Sequence, residues 1–170
     1  MDPVLRECDA RAAVERLMAE YGDGILRLCL LMLGDLSQAE DAAQETFVRA
    51  WQSYGSFRAE ASEKTWLTAI AANVCRNLLR SPWNRRRVEL SFLEGCPAGE
   101  TEEPDDTVVR AVLALPPKYR QVVVLYYYRD CSTGEIAQML NVPQGTVSVR
   151  LKRARERLKP MLKEWYHDEV

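Results

Sequence analysis

The sequence predicts an all-α protein: two small helical domains joined by an acidic, flexible linker. Three observations carry this. Apolar residues recur at helical spacing in both halves of the 170-residue chain. Capping signals open several of those stretches. Between the halves lies ELSFLEGCPAGETEEPDD, with two prolines, two glycines and a block of acids, a composition that cannot bury a core. The boundaries fall near residues 87 and 107, giving domains at 1–87 and 107–170 and a linker at 88–106.

In the N-terminal domain, Asp23 is placed to cap a helix from about Gly24 to Leu33. Ser37 and Glu40 form an S-x-x-E capping-box pattern that opens the next helix. There Ala39, Ala42, Ala43, Thr46, Phe47 and Ala50 recur at i, i+3, i+4, i+7, i+8 and i+11, one continuous buried stripe. The opposite face carries Glu40, Asp41, Gln44, Glu45 and Val48. A charged face is ordinarily just solvated, but an apolar Val48 in its middle points to a partner. A further helix runs from about Ser62 to Leu79 through TWLTAIAANVCRNLLR and leads into the basic run RSPWNRRR. Trp66 within it is expected as a core side chain.

The C-terminal domain has four expected helices. The first covers about 107–114. The second follows Pro116–Pro117, since proline suits a helix's first turn. It contains VVVLYYY, residues 122–128, seven β-formers in a row that propensity alone would make a buried strand. Helix is preferred because no second strand stands nearby to pair with it. A capping box from Ser132 to Glu135 opens the third helix, which runs to Leu140. After the turn NVP the fourth runs to about Lys163, with Pro160 able to end or kink it.

Composition bounds the function. Apolar content of 47% and charged content of 28% are those of a soluble globular protein. No run approaches the roughly 18 apolar residues of a membrane span. The opening MDPVLRECDARAAVERL has acids and no apolar h-region, so a cytoplasmic setting without membrane insertion is expected. Five cysteines are scattered singly, with no CxxC pair and one histidine, His167. No metal site and no cofactor are expected, and the thiols are expected free and mostly buried. One histidine, isolated serines and no glycine-rich phosphate loop make no catalytic constellation, so an enzyme is not expected.

Net charge of −2 hides a segregation: 0 over residues 1–87, −7 over 88–106 and +5 over 107–170. The positive part is concentrated in GTVSVRLKRARERLK, residues 145–159, with six basic residues and one acid. On a helical wheel Val147, Leu151, Ala154 and Leu158 form a core stripe, against which Ile136, Ala137 and Leu140 of the preceding helix can pack. Small Ala137 permits the close crossing of a helix-turn-helix. The outer face presents Ser148, Val149, Lys152, Arg153 and Glu156, flanked by Arg150, Arg155, Arg157 and Lys159. A basic amphipathic helix can also serve a membrane surface or a calmodulin-like partner, but here the preceding helix needs its apolar stripe. In a major groove Arg153 and Lys152 can donate to guanine O6 and N7, and Val149 can meet a thymine methyl. Thr146, the backbone at Gly145 and the flanking arginines can hold phosphates.

Both halves together resemble the extracytoplasmic-function (ECF) sigma factors of bacterial RNA polymerase. The likeness is carried by DLSQAEDAAQETFVRAW (35–51), TWLTAIAAN (65–73), LPPKYRQVVVLYY (115–127) and STGEIAQMLNVPQGTVSVRLKRARERLK (132–159), in the family's order and spacing over about 10–163. The resemblance implies sigma domain 2, a connector and sigma domain 4. It implies that Glu40, Asp41, Gln44, Glu45 and Val48 dock on the clamp helices of the polymerase β′ subunit, and that the C-terminal domain meets the β flap. Phe57, Arg58, Ala59, Glu60, Ser62 and Lys64, with Asn73, would capture a base flipped from the −10 element. Arg76, Arg80 and Arg85–Arg87 would follow the strand's phosphates. Thr146, Ser148, Val149, Arg150, Lys152, Arg153 and Arg155 would serve the −35 element. The acidic linker would run through polymerase toward the active-site cleft. An anti-sigma factor is an expected partner, and a monomer is the expected free form. The competing reading is an autonomous helix-turn-helix regulator, which needs a dimer surface and binds its operator without polymerase.

Overall fold

The computed structural model describes residues 3–84 and 104–162, with side chains over 7–84 and 107–162. Their regular structure is all helical, with no strand among the described residues. The chain divides into two compact units, Met1–Cys75 and Arg76–Val170, the division falling inside the third helix.

In the first unit, α1 runs unbroken from Pro3 to Leu33. No helix begins at Gly24, and Asp23 caps nothing. Gly22 and Gly24 each disfavour helix by about 1 kcal/mol relative to alanine. Leu17, Ile25, Leu28 and Met32, all fully buried, keep one phase across them. Burying such side chains contributes about 1.5–3 kcal/mol each, so packing overrides the local signal. The helix closes on Gly34, at φ 73°, whose N–H donates to the Leu30 carbonyl at 2.8 Å.

Helix α2, Leu36–Ser53, starts two residues later. Its N-cap is Asp35, whose carboxylate accepts from the Gln38 N–H at 2.9 Å; the expected cap, Ser37, lies inside the helix. The short link from Gly34 brings Asp35 in with extended backbone, φ −136°, two residues before Ser37 could act. All six residues of the expected stripe are buried, and Ala39, Ala42, Ala43 and Ala50 let α2 lie close on α1. A 3₁₀ turn, Tyr54–Ser56, ends α2. Helix α3 runs from Glu63 to Arg80, with the Ser62 hydroxyl accepting from the Thr65 N–H at 3.1 Å. Its buried face includes Leu67, Ala71, Ala72 and Cys75.

Cys29, Cys75 and Cys131 are buried free thiols and Cys8 is exposed; Cys96 lies outside the described residues. The neighbouring Cys29 thiol, together with burial, pushes Cys75 far up from its ordinary titration range. The Cys75 thiol is thus an inert packing group at neutral pH.

In the second unit, α4 is Pro104–Leu113, so residues 104–106, read from sequence as linker, are helical. The rest of the linker, and Arg85–Arg87, lie outside the described residues. Helix α5, Pro117–Val123, passes into a π-helical turn at Val124–Tyr128. The VVVLYYY run is therefore helical, as expected, but its last five residues are wound wider than an α-helix. The Arg129 N–H donates to the Val124 carbonyl at 3.2 Å, the i to i+5 bond of such a turn. Val122 to Leu125 are buried together while Tyr127 is 54% exposed. Buried Arg120 reaches back to donate from Nη1 to the Leu113 carbonyl at 3.0 Å, satisfying the end of α4.

Helix α6, Thr133–Leu140, carries the expected capping box: Glu135 N–H to Ser132 Oγ at 3.1 Å and Ser132 N–H to Glu135 Oε2 at 2.8 Å. Asn141, at φ 53°, turns the chain. Helix α7, Gln144–Met161, continues past Pro160 to its end. Val147, Leu151 and Ala154 face inward with Ile136 and Leu140, whereas Leu158 and Ala137 are only half-buried. Gln144 Nε2 donates to Thr133 Oγ1 at 2.8 Å and fastens the start of α7 to the start of α6.

Candidate nucleic-acid interface and acidic face

Three surfaces gather the residues singled out in the sequence. The first is the outer face of α2. Burying the alanine stripe forces Glu40, Asp41, Gln44, Glu45 and Val48 outward, and all five are exposed. Leu36 at 56% and Trp51 at 41% exposure extend the apolar part of this face. Sequence reading missed both, although Trp51 stands one turn beyond Val48. Glu45 accepts from Arg49 Nε at 2.7 Å, an exposed i, i+4 pair.

The second surface surrounds the loop after α2. Tyr54, Phe57 and Trp66 form an aromatic cluster, with the Phe57 and Trp66 ring centroids 4.7 Å apart and Tyr54 6.2 Å from Trp66. Arg58, Ala59, Glu60 and Ser62 are exposed, while Phe57 and Lys64 are half-buried. Ala59 sits in the left-handed region at φ 56°, a conformation that costs a non-glycine residue about 1–2 kcal/mol. Trp66 is half-buried rather than a core residue. With Asn73, Ala69 and Ile70 it lines a cleft of about 480 Å³, closed on the α2 side by Arg49, Gln52 and Ser53. The exposed loop residues do not line that cleft. The α2 side went unread in the sequence, where only the i, i+3, i+4 spacing of Arg49, Gln52 and Ser53 hints at a shared face.

The start of α3 is pinned by a pair the sequence did not disclose. Arg16 of α1 donates to Glu63 through both nitrogens, Nη2 to Oε1 at 2.7 Å and Nη1 to Oε2 at 3.1 Å. The hydrogen bonds from Arg16 hold the Glu63 carboxyl below the usual carboxylate range against a smaller opposing effect of burial. Farther along α3, Arg76 and Arg80 stand one turn apart, Arg76 half-buried and Arg80 exposed. Desolvation, then the charge of Arg80, lowers the Arg76 guanidinium's affinity for its proton.

The third surface lies on α7. Thr146, Val149, Arg150 and Arg153 line a cleft of about 320 Å³ with Gly145 and, from α5, Lys118 and Tyr119. Val149 is 49% exposed. Ser148 and Lys152 are exposed outside the cleft, and Ser148 Oγ donates to the Gln144 carbonyl at 3.3 Å. Arg155 points elsewhere. Its Nε donates to the Tyr127 hydroxyl at 2.7 Å, and its guanidinium lies 5.8 and 5.7 Å from the Tyr126 and Tyr127 ring centroids. That contact raises the affinity of Arg155 for its proton, chiefly through the Tyr127 bond. Four of the seven residues expected at the −35 element thus share one basic cleft. Among the described residues no group of three or more His, Cys, Asp or Glu could hold a metal ion, and no helix is long and apolar enough to cross a membrane.

Two family models match this chain, Sigma-70 region 2 over residues 17–86 and Sigma-70 region 4 over residues 105–158. The chain is 37% identical over 160 residues to the ECF RNA polymerase sigma factor SigW of Bacillus subtilis, covering 85% of this chain and 86% of SigW. It is 34% identical over 165 residues to the ECF RNA polymerase sigma factor SigL of Mycobacterium tuberculosis strain H37Rv, covering 91% of this chain and 92% of SigL. Among solved structures, the sigma factor RpoE of Bartonella quintana, crystallised with the anti-sigma factor NepR, shares the fold. Its TM-score is 0.66 at 24% identity, over 88% of this chain and 96% of RpoE.

Proposed function

The chain belongs to the ECF sigma factors of the sigma-70 family, and on that premise we propose how its surfaces divide the work. It is a transcription initiation factor: it binds core RNA polymerase, directs it to a two-part promoter and assists melting of the −10 region. The protein contributes binding energy and core polymerase supplies the chemistry. Its domains are 1–87 for polymerase and the −10 element and 107–170 for the −35 element, with 88–106 as connector. The family matches over 17–86 and 105–158 support the division, and the helix that starts at Pro104 draws the connector's end back to 103.

The exposed α2 face of Glu40, Asp41, Gln44, Glu45 and Val48 docks on the clamp helices of the β′ subunit. Acids around an apolar centre give steering and register, with Val48 as the desolvated contact. The loop from Phe57 to Lys64 and the cleft beneath Asn73 take a base flipped from the non-template strand. Extrusion costs a few kcal/mol, which a preformed pocket offsets. Arg76 and Arg80 follow the phosphates of that strand. On α7, Ser148, Val149, Lys152 and Arg153 face the −35 base edges. Thr146 and Arg150 hold phosphates, and Arg155 does so through the nitrogens it does not spend on Tyr127. An anti-sigma factor holds the protein inactive in the cytoplasm until released, as the solved complex of the related fold would lead one to look for.

The observation that carries this reading is the pairing of an exposed acidic face on α2 with a basic cleft on α7, in the order of regions 2 and 4. Run-off transcription with purified core polymerase on the DNA upstream of the chain's own gene tests it. A transcript that requires this chain is expected. Tight promoter binding by the isolated chain, with no stimulation of polymerase, would overturn it.

A further inference from the structure

Tyr119 gathers three cations around one ring. Lys118 Nζ stands 5.0 Å from the ring centroid and the Arg157 guanidinium carbon 5.1 Å. Arg153, one helical turn before Arg157, lines the same cleft as Tyr119 and Lys118. Its guanidinium stands beside the phenol in that cleft and holds Tyr119 below the usual tyrosine range; burial opposes this and Lys118 adds to it.

The two partners differ in freedom. Tyr119 is 4% exposed and sits beside Val122 and Val123 in the core of its unit, so its ring is fixed by packing. Arg153 is exposed, on the outer face of α7. A free arginine side chain carries about 2 kcal/mol of rotamer entropy that must be given up on engaging a base. A fixed acceptor beside it removes part of that freedom before DNA arrives.

We propose that Tyr119 is a positioning residue for Arg153: the buried ring and its hydroxyl hold the guanidinium at the cleft, so that Arg153 discriminates one −35 base pair. This rests on the −35 reading above and deepens it. A side chain this buried acts through Arg153 and not on the DNA. Lys118 and Arg157, on the ring, keep the surroundings positive, so the hydroxyl serves the cation that projects toward the groove.

The test uses the full chain assembled with core polymerase. Initiation is measured on the gene's own upstream DNA and on derivatives with each −35 base pair changed in turn. Arg153→Ala is expected to lose about 5- to 150-fold discrimination at one base pair, the value of a bidentate arginine–guanine contact. Tyr119→Phe, which removes only the hydroxyl, is expected to lose about 2- to 10-fold at that same base pair with unchanged affinity for core polymerase. The double variant is expected to be no worse than Arg153→Ala alone. Tyr119→Phe in an Arg153→Lys background, where the planar fork is gone, is likewise expected to have no further effect. A merely structural tyrosine would lower initiation evenly across the panel, so discrimination is the deciding readout. Wild-type discrimination by Tyr119→Phe, or losses that multiply in the double variant, would overturn the positioning role and leave the −35 reading standing. Full discrimination by Arg153→Ala would remove the −35 role of Arg153 itself, and the proposal with it.

Discussion

Arg155 and Tyr127 are joined by a 2.7 Å hydrogen bond from Nε to the phenol oxygen, with the guanidinium also lying over the Tyr126 and Tyr127 rings. The bond ties the basic helix α7 to the π-helical turn that ends α5, across 28 residues of sequence. One nitrogen of the fork is used there, and four N–H groups remain for a phosphate. Arg155→Gln is therefore expected to weaken promoter binding evenly across sequences and reduce the slope of log affinity against log salt by about 0.9. An unchanged slope with a lowered melting temperature would make the residue a fastener of the fold only.

The acidic face of α2 makes a second prediction. Asp41→Lys with Glu45→Lys leaves the buried stripe untouched and sacrifices only the exposed Glu45–Arg49 pair. Such pairs contribute about 0–1 kcal/mol, so the fold is expected to survive. Affinity for core polymerase is expected to fall on the order of tenfold or more, because reversed charge at an interface repels the partner. A pull-down that recovers as much core polymerase as the wild type would refute the docking assignment.

The Arg16–Glu63 pair sets a pH dependence. Glu63 holds its proton less tightly in the folded protein than the ordinary value of 4.5, because Arg16 hydrogen-bonds the carboxylate. A depressed carboxyl contributes stability above its unfolded value and loses it as pH falls through the folded one. Glu63→Gln is thus expected to lower the melting temperature at pH 7, with the gap to wild type closing below about pH 4.5. A gap that stays constant through the acid range would mean the pair contributes nothing in solution.

Ala59 offers a backbone test. At φ 56° an alanine is strained and a glycine is not. Ala59→Gly is expected to be neutral or stabilising by about 0.5 kcal/mol, relief of strain offset by unfolded-state entropy. Ala59→Val is expected to destabilise by more than about 1 kcal/mol. Urea melts measure both. Equal midpoints for the two variants would show that the loop does not hold this turn.

Much of the candidate site could be read without coordinates, and the reason is periodicity. The six buried residues of α2 and the five exposed ones on its back are neighbours on one helix, fixed relative to each other by 100° per residue. The same holds for Val147, Leu151 and Ala154 facing in while Val149 and Arg153 face out. The capping box at Ser132 and Glu135 is equally local, since its four residues close their own hydrogen bonds.

What escaped the sequence depends on distant parts of the chain. Local signals start a helix at Gly24 and cap another at Ser37, but the packing of Leu17, Ile25 and Met32 carries α1 straight through the first, and the turn at Gly34 delivers Asp35 ahead of the second. Trp66 belongs to a helix in any reading, yet its half-buried place beside Phe57 follows from how the loop returns over α3. The sequence by itself determined that the chain is helical, which face of each helix is apolar and where its basic charge lies. Only the tertiary structure decided that Arg16 meets Glu63, Arg155 meets Tyr127 and Arg153 shares a cleft with Tyr119, because the crossing of two helices is set by how all their side chains interlock and leaves no repeat along either one.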